Sequence, residues 1–177
     1  PDGYSLYIGT TSSLSVVPHL FSKLPFNAEK DFAPVSLLGI LNTGLIANPN
    51  VSAKDAKALI AELKAKPESV SVATSGIGSY SHLSGVWFND AAKVKTNLVP
   101  YNSTSPYNDL LAGQVQLMFD GLPAAAGPIK GGKLKLLAIT GKERHPSFPT
   151  VPTFAEAGLP DYAPIAWQGI LAPAGTP

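Results

Sequence analysis

The chain has 177 residues, 45% hydrophobic and 14% charged, with a formal net charge of +1, enough apolar material for one well-packed domain or a domain and part of another. Near-neutral charge and a single arginine, Arg144, exclude the clustered basic surface of a nucleic-acid binder and make bidentate phosphate clamps scarce. Cysteine is absent, which removes disulfides, thiol catalysis and cysteine-based metal sites, and no apolar run approaches the ~18–20 residues of a membrane-spanning helix.

Pro1-Asp2-Gly3 predicts a turn into a strand over Tyr4–Thr10, which ends in the small, hydroxyl-rich run Gly9-Thr10-Thr11-Ser12-Ser13. A short helix broken at Pro18 is expected up to about Lys23. Leu24-Pro25-Phe26 and Asp31-Phe32-Ala33-Pro34 read as connectors, because proline turns its predecessor away from the helical region. Val35–Leu41 and Gly44–Ala47 read as strands. Ser52 is the expected N-cap of a helix from Ala53 to about Lys66, with Leu59, Ile60 and Leu63 on its apolar face and Pro67 as its stop.

The stretch Val70–Phe88 reads as strand, loop and helix. Val70, Val72 and Ala73 form the strand, and Ser75, Gly76, Gly78, Ser79 and Ser81 crowd into a loop with little bulk over the backbone. From His82 the spacing turns helical, with Leu83, Val86 and Trp87 as the expected buried stripe. A Gly/Ser loop feeding a helix presents unpaired N–H groups and the positive end of the helix dipole, a ready anion site.

Strands at Thr96–Val99, Gln114–Phe119 and Leu134–Thr140 alternate with helices at about Tyr107–Ala112 and Ala124–Lys130. A capped helical turn opens at Thr153-Phe154-Ala155-Glu156, and Ala163–Ala172 is the last strand. This alternation predicts an α/β domain with a mainly parallel sheet flanked by helices. Ligands then bind beyond the carboxyl ends of the strands, where the Gly/Ser loops lie.

Other chemistries fit poorly. Gly76-Ile77-Gly78 gives two glycines of a dinucleotide fingerprint, but Ser81 stands at the third and no acidic partner follows. A P-loop lysine is missing. Ser79, Ser81 and His82 suggest a nucleophile and base, but no G-x-S-x-G elbow or orienting carboxylate accompanies them. On the first turn of a helix, His82 reads first as a capping or packing group. His19, His82 and His145 lack metal-ligand spacing, so no metal or other cofactor is expected. Asp120 ends its strand facing the same mouth as the central loop, as an acceptor for a ligand amine or hydroxyl or as a turn before Gly121. Arg144 reads as part of a solvated turn, and Trp87 and Phe88 as core.

Blocks spread over the whole chain then point one way: PDGYSLYIGTTSS, LPFNAEKDFAPVSLL, NPNVSAKDAKALI, ATSGIGSYSHLSG, VPYNSTSPYNDLLAGQVQLMFDGLPAA, GKLKLLAITGKERHPSFPTVPTFAEAGLP and WQGILAPAGTP. Together they resemble the Bug (TctC-like) solute-binding proteins of tripartite tricarboxylate transporters. The resemblance implies a type II periplasmic-binding-protein-like, two-lobed α/β fold. It also implies a periplasmic, non-enzymatic receptor that closes on a small organic carboxylate for uptake through the transporter's membrane subunits.

Matched position by position, it implies ligand contacts at Ser75, Gly76, Ile77, Gly78, Ser79 and His82. Tyr101, Ser103, Thr104 and Asp120 would form the neighbouring wall, and Thr10, Thr11 and Ser12 the strand end of the first lobe. On that pattern residues 1–46 are a partial first lobe with a hinge passage, 47–163 a complete second lobe, and 164–177 the returning strand. The chain reads as the middle of a longer protein with a truncated first lobe. A homodimer through the exposed first-lobe side, or a self-associating fragment without transport function, is the alternative expectation.

Overall fold

The computed structural model describes residues 4–102 and 105–176. Its strands form two sheets. Strand β1 (Tyr7–Thr10) runs into a π-helical turn over Thr11–Val16 and helix α1 (Val17–Leu20), and then β2 (Phe32–Leu41). After β3 (Thr43–Ala47) come α2 (Ala56–Ala65), β4 (Ser71–Thr74), α3 (Tyr80–Ala92), β5 (Asn97–Pro100) and α4 (Tyr107–Ala112). The chain closes with β6 (Leu117–Gly121), α5 (Leu122–Lys130), β7 (Lys135–Ile139) and β8 (Ala166–Pro173).

The larger sheet has the order β5-β4-β6-β3-β7. β4 pairs parallel with β5 and β6, whereas β3 runs antiparallel to both β6 and β7. Four strands therefore share one direction, as helical crossovers require, and β3 is the reversed strand set among them. All five of its residues are buried, which fits an unbroken apolar strand covered on both faces. The smaller sheet, β1-β8-β2, is antiparallel throughout.

Core residues lie on both faces of the larger sheet. One face packs Leu45, Leu117, Phe119 and Leu137 against α2 and α3 through Leu59, Leu63 and Phe88. It is capped by Phe154 and Tyr162, whose rings meet edge to face at 4.6 Å. The other face packs Ile46, Ala73, Met118 and Ile139 against Leu110 of α4 and Leu122 and Ala125 of α5. The smaller sheet is different. Val35, Leu37, Leu38 and Ile40 of β2 and Ile8 of β1 all stand exposed.

Several boundaries and faces differ from the sequence expectation for physical reasons. Helix α2 starts three residues later than expected, because Asp55 and not Ser52 caps it, its carboxylate accepting the Ala58 N–H at 2.8 Å. Strand β2 takes in Ala33 and Pro34, which an edge strand tolerates because a missing N–H there breaks no ladder. Most instructive is α3. Its buried face is Ser81, Ser84, Gly85, Phe88 and Ala92, while Leu83, Val86 and Trp87 are 36%, 45% and 42% exposed. Small residues set the contact there: a Cβ on Gly85 would lie 2.8 Å from Leu98 Cδ2. Phe88 is core as expected, and Trp87 instead lies half-open against the Tyr162 ring at 5.4 Å.

Candidate functional site

β4 ends at Thr74, and the backbone must then reverse into α3 within five residues. Gly76 and Gly78 make the reversal, with φ of 98° and 81°, angles that side chains with a Cβ rarely adopt. The Ser79 N–H closes the turn on Gly76 O at 3.2 Å. The N–H groups of Gly76, Ile77 and Gly78 find no acceptor among the described residues. Ile77 points its side chain outward, 70% exposed, so the loop offers backbone, not bulk.

Serine hydroxyls tie this loop to the helix. Ser79 is the N-cap, its Oγ accepting the His82 N–H at 3.1 Å and lying 3.1 Å from Ser81 Oγ. Ser81 Oγ accepts the Ser75 N–H at 2.9 Å. The Tyr80 N–H is taken from outside the helix by Ser12 Oγ at 3.0 Å. Two enclosed side-chain atoms remain without a partner among the described residues: Thr74 Oγ1, on a fully buried residue, and His82 Nδ1. His82 is thus joined to Ser79 through its backbone only, which is a cap and not a nucleophile–base pair.

Beside the loop lies a cavity of about 420 Å³ walled by Ser75, Tyr101, Asn102, Tyr107, Met118 and Asp120. Tyr101 is fixed there by its N–H, which donates to Thr74 O at 2.8 Å, while its hydroxyl turns to Asp109 at 2.6 Å. Asp120, half-buried at the end of β6, accepts the Tyr107 hydroxyl at 2.8 Å on Oδ2 and the Gly121 N–H at 2.8 Å on Oδ1. Burial, then the Asp120 charge and this hydrogen bond, push the Tyr107 phenol far above its ordinary range. Tyr107 therefore stays a protonated donor.

The fold brings Ser75, Tyr101 and Asp120 to one cavity, and Gly76 to Ser79 and His82 follow Ser75 in the turn and first helical residues beyond it. Ser12 reaches the start of α3. Thr10 instead caps its own π-helical turn by accepting the Ser13 N–H at 3.3 Å. Thr11 Oγ1 donates to Ile165 O and accepts the Trp167 N–H, holding the returning strand. Ser103 and Thr104 lie outside the described residues. The Arg144 guanidinium is taken by Glu156 at 3.0 Å.

Sequence reasoning passed over Tyr80 and Tyr107. Asn102 lies within the stretch Tyr101–Ser105 that was expected to form the neighbouring wall, and Tyr107 just beyond it. Tyr80 hides inside the Ser/Gly run, and nothing local marks its hydroxyl, which donates to Pro164 O at 3.2 Å and lies within hydrogen-bond distance of the Thr43 hydroxyl at 2.9 Å. A second, more apolar cavity of about 510 Å³ opens near these crossings, lined by Ile40, Asn42, Thr140, Lys142, Tyr162 and Ile165 among others. It holds none of the residues marked from the sequence. No described helix is long and apolar enough to cross a membrane.

The profile of the family described as "Tripartite tricarboxylate transporter family receptor" matches residues 1–177. Protein BugT of Bordetella pertussis is 36% identical over 177 residues, which cover 99% of this chain and 54% of that protein. A structure described as a periplasmic transporter superposes with a TM-score of 0.94 at 39% identity, covering 100% of this chain and 60% of the other. MatC from Rhodopseudomonas palustris with bound malate gives a TM-score of 0.88 at 36% identity, again covering 100% of this chain and 60% of the other. The chain thus spans about half the length of the curated relatives it matches.

Proposed function

This chain belongs to the tripartite tricarboxylate transporter receptor family, and on that footing we propose that it captures a small organic carboxylate on the Ser75–Ser79 loop for uptake across a membrane. The family is one of solute-binding receptors and not of enzymes, and its solved relatives include periplasmic binding proteins. A periplasmic setting and the transporter's membrane subunits as partners belong to the same proposal. So does the division into lobes, with the smaller sheet in one, the larger in the other, and hinge passages beside Asn42 and Pro164.

One observation carries this reading. Three consecutive N–H groups, Gly76 to Gly78, have no acceptor among the described residues and stand at the start of a 13-residue helix. Enclosed Thr74 Oγ1 and His82 Nδ1, both without a partner among the described residues, lie at the same strand end and first helical turn. Charge-assisted hydrogen bonds to such groups are worth ~1.5–3 kcal/mol each, and the helix dipole adds up to ~2 kcal/mol when partly buried. An anion is thereby held without arginine. The solved relatives carry malate in MatC and adipate in another R. palustris protein.

The test is a thermal-shift screen of the chain against mono-, di- and tricarboxylates. A true ligand at a hundredfold excess over its dissociation constant stabilises by ~2.7 kcal/mol and raises the melting temperature. No shift with any acid overturns the reading for this chain.

A second reading has its own observation, the exposed apolar residues Val35, Leu37, Leu38 and Ile40 on edge strand β2, which pairs with β8 on one side and with no strand on the other among the described residues. Such an edge invites association between copies. Sedimentation velocity across a wide concentration range decides it. A monomer throughout removes self-association, and an oligomer dispersed by Ile40→Lys supports it.

A further inference from the structure

We propose that the edge of the larger sheet where its parallel strands begin is a docking surface for an anionic phospholipid bilayer, carried by lysines. β4, β5, β6 and β7 share one direction, so the segments that enter them lie along one edge. More than half of the chain's lysines stand on these segments. Lys64 and Lys66 close α2 ahead of β4, and Lys93 and Lys95 stand between α3 and β5. Lys130 closes α5, Lys133 follows it, and Lys135 opens β7.

Three cavities join these groups into one strip. The first, of about 500 Å³, is lined by Lys64, Lys93 and Lys95 together with Leu63 and Val94. The next, of about 410 Å³, takes in Lys66 and reaches Asn50. Asn50 also lines the third, of about 460 Å³, beside Lys133. The lysines ahead of β5 and β7 mark the ends of the strip, because these are the outermost strands of the sheet. At ~4.8 Å between neighbouring strands, it runs over roughly 19 Å.

Much of this charge is uncompensated. Lys93 pairs with Asp90 at 2.9 Å, Lys135 donates to Val51 O at 2.6 Å, and Lys130 lies over the Phe148 ring at 5.9 Å. Lys64, Lys66, Lys95 and Lys133 are exposed, and their ammonium groups have no ion pair among the described residues. Glu62 and Glu68 are the other carboxylates on these segments, so cations remain in excess here although the whole chain is near neutral. A lysine in the last turn of a helix complements the dipole, which accounts for Lys64 and Lys130. Lys95 and Lys133 stand beyond any helical turn, where that account does not reach.

A small anion reaches one cavity, whereas a plane of phosphate headgroups meets the whole strip at once. Lysine is a flexible point charge suited to diffuse attraction, and the strip lacks the guanidinium that grips a single phosphate. The opposite edge, where the same strands end, carries the Ser75–Ser79 loop and Asp120. With the lysine edge on the bilayer, that loop faces the solution. The protein is then held at a membrane with its solute loop open to the surroundings.

The experiment is co-sedimentation of the whole chain, without added acid, with vesicles of phosphatidylcholine alone or mixed with an equal part of phosphatidylglycerol. Binding is expected to the anionic vesicles only, and is expected to fall as salt rises. Each lysine at an anionic surface is worth about fivefold in partitioning. Lys64→Gln, Lys66→Gln and Lys95→Gln combined are therefore expected to lose about a hundredfold. Lys23→Gln, Lys30→Gln and Lys142→Gln combined change the net charge equally but lie off the strip, and are expected to lose about threefold or less.

No binding, or equal binding to both kinds of vesicle, overturns the proposal. So does an equal loss in the two triple variants, which leaves net charge and not the strip as the cause. Retention on poly-L-glutamate without vesicle binding overturns the bilayer as partner and favours an acidic protein. Should the strip variant fail to fold, Lys66→Gln and Lys95→Gln singly, each expected to bind about fivefold more weakly, decide instead. All of these outcomes are read without a solute, so the carboxylate reading stands or falls separately.

Discussion

Gly78 needs the absence of a side chain twice. Its φ of 81° lies in the left-handed region, and a Cβ there would sit 3.0 Å from Leu20 Cδ1. Gly78→Val is expected to cost about 1–3 kcal/mol in backbone strain, measured by urea denaturation, and to weaken binding of the carboxylate found by thermal shift. A folded variant with unchanged affinity would take the turn out of the site. The turn itself was legible, because glycine and serine in that density leave the backbone bare. The approach of Leu20 was not, since it depends on how α1 returns over the loop. The same holds for Ser12 on the Tyr80 N–H and for Tyr80 on Thr43: each is a tertiary hydrogen bond between residues with no local pattern to join them. Asp120 was readable as a strand-end carboxylate. Its Tyr107 partner became visible only with the cavity.

Helix α3 shows how a periodic pattern points to the wrong face. Leu83, Val86 and Trp87 carry the bulk, yet the buried side is made of Ser81, Ser84 and Gly85 around a single large anchor, Phe88. Close backbone approach to Leu98 selects small residues, and hydroxyls satisfied within the helix end can be buried, as Ser84 Oγ does by donating to Tyr80 O at 2.8 Å. Phe88→Ala is therefore expected to cost about 3–5 kcal/mol, and Leu83→Ala only about 1 kcal/mol or less. Chemical denaturation of both variants checks the order, and equal losses would restore the bulky stripe as the packing face. Strand positions were easier to read, because short apolar runs between glycine and proline have few other conformations. Strand ends moved by a few residues where pairing, not composition, decides them.

At the scale of the molecule, the alternation of strands and helices revealed the α/β class but not the reversal of β3, which follows from the chain passing between two sheets. Three tyrosines link this architecture to pH. Burial holds the phenols of Tyr80, Tyr107 and Tyr162 above the ordinary value of 10.0. The unfolded chain ionises first, so their contribution is complete below that pH and is lost as pH rises beyond it. The melting temperature is expected to fall steeply above about pH 10. Tyr162→Phe, lacking the 2.9 Å bond to Ser84 O, is expected to begin about 1 kcal/mol lower near neutrality and to fall less on alkalinisation. Parallel alkaline melting curves would clear Tyr162 of that role. The Tyr80 hydroxyl has another consequence. By bonding Thr43 and Pro164 together, it sets the two chain crossings side by side, a hydrogen bond's length from one oxygen. Residues 43–164 thus make a cassette whose ends abut, and the entropy of closing it onto itself, or of splicing it into a surface loop of an unrelated host, is small.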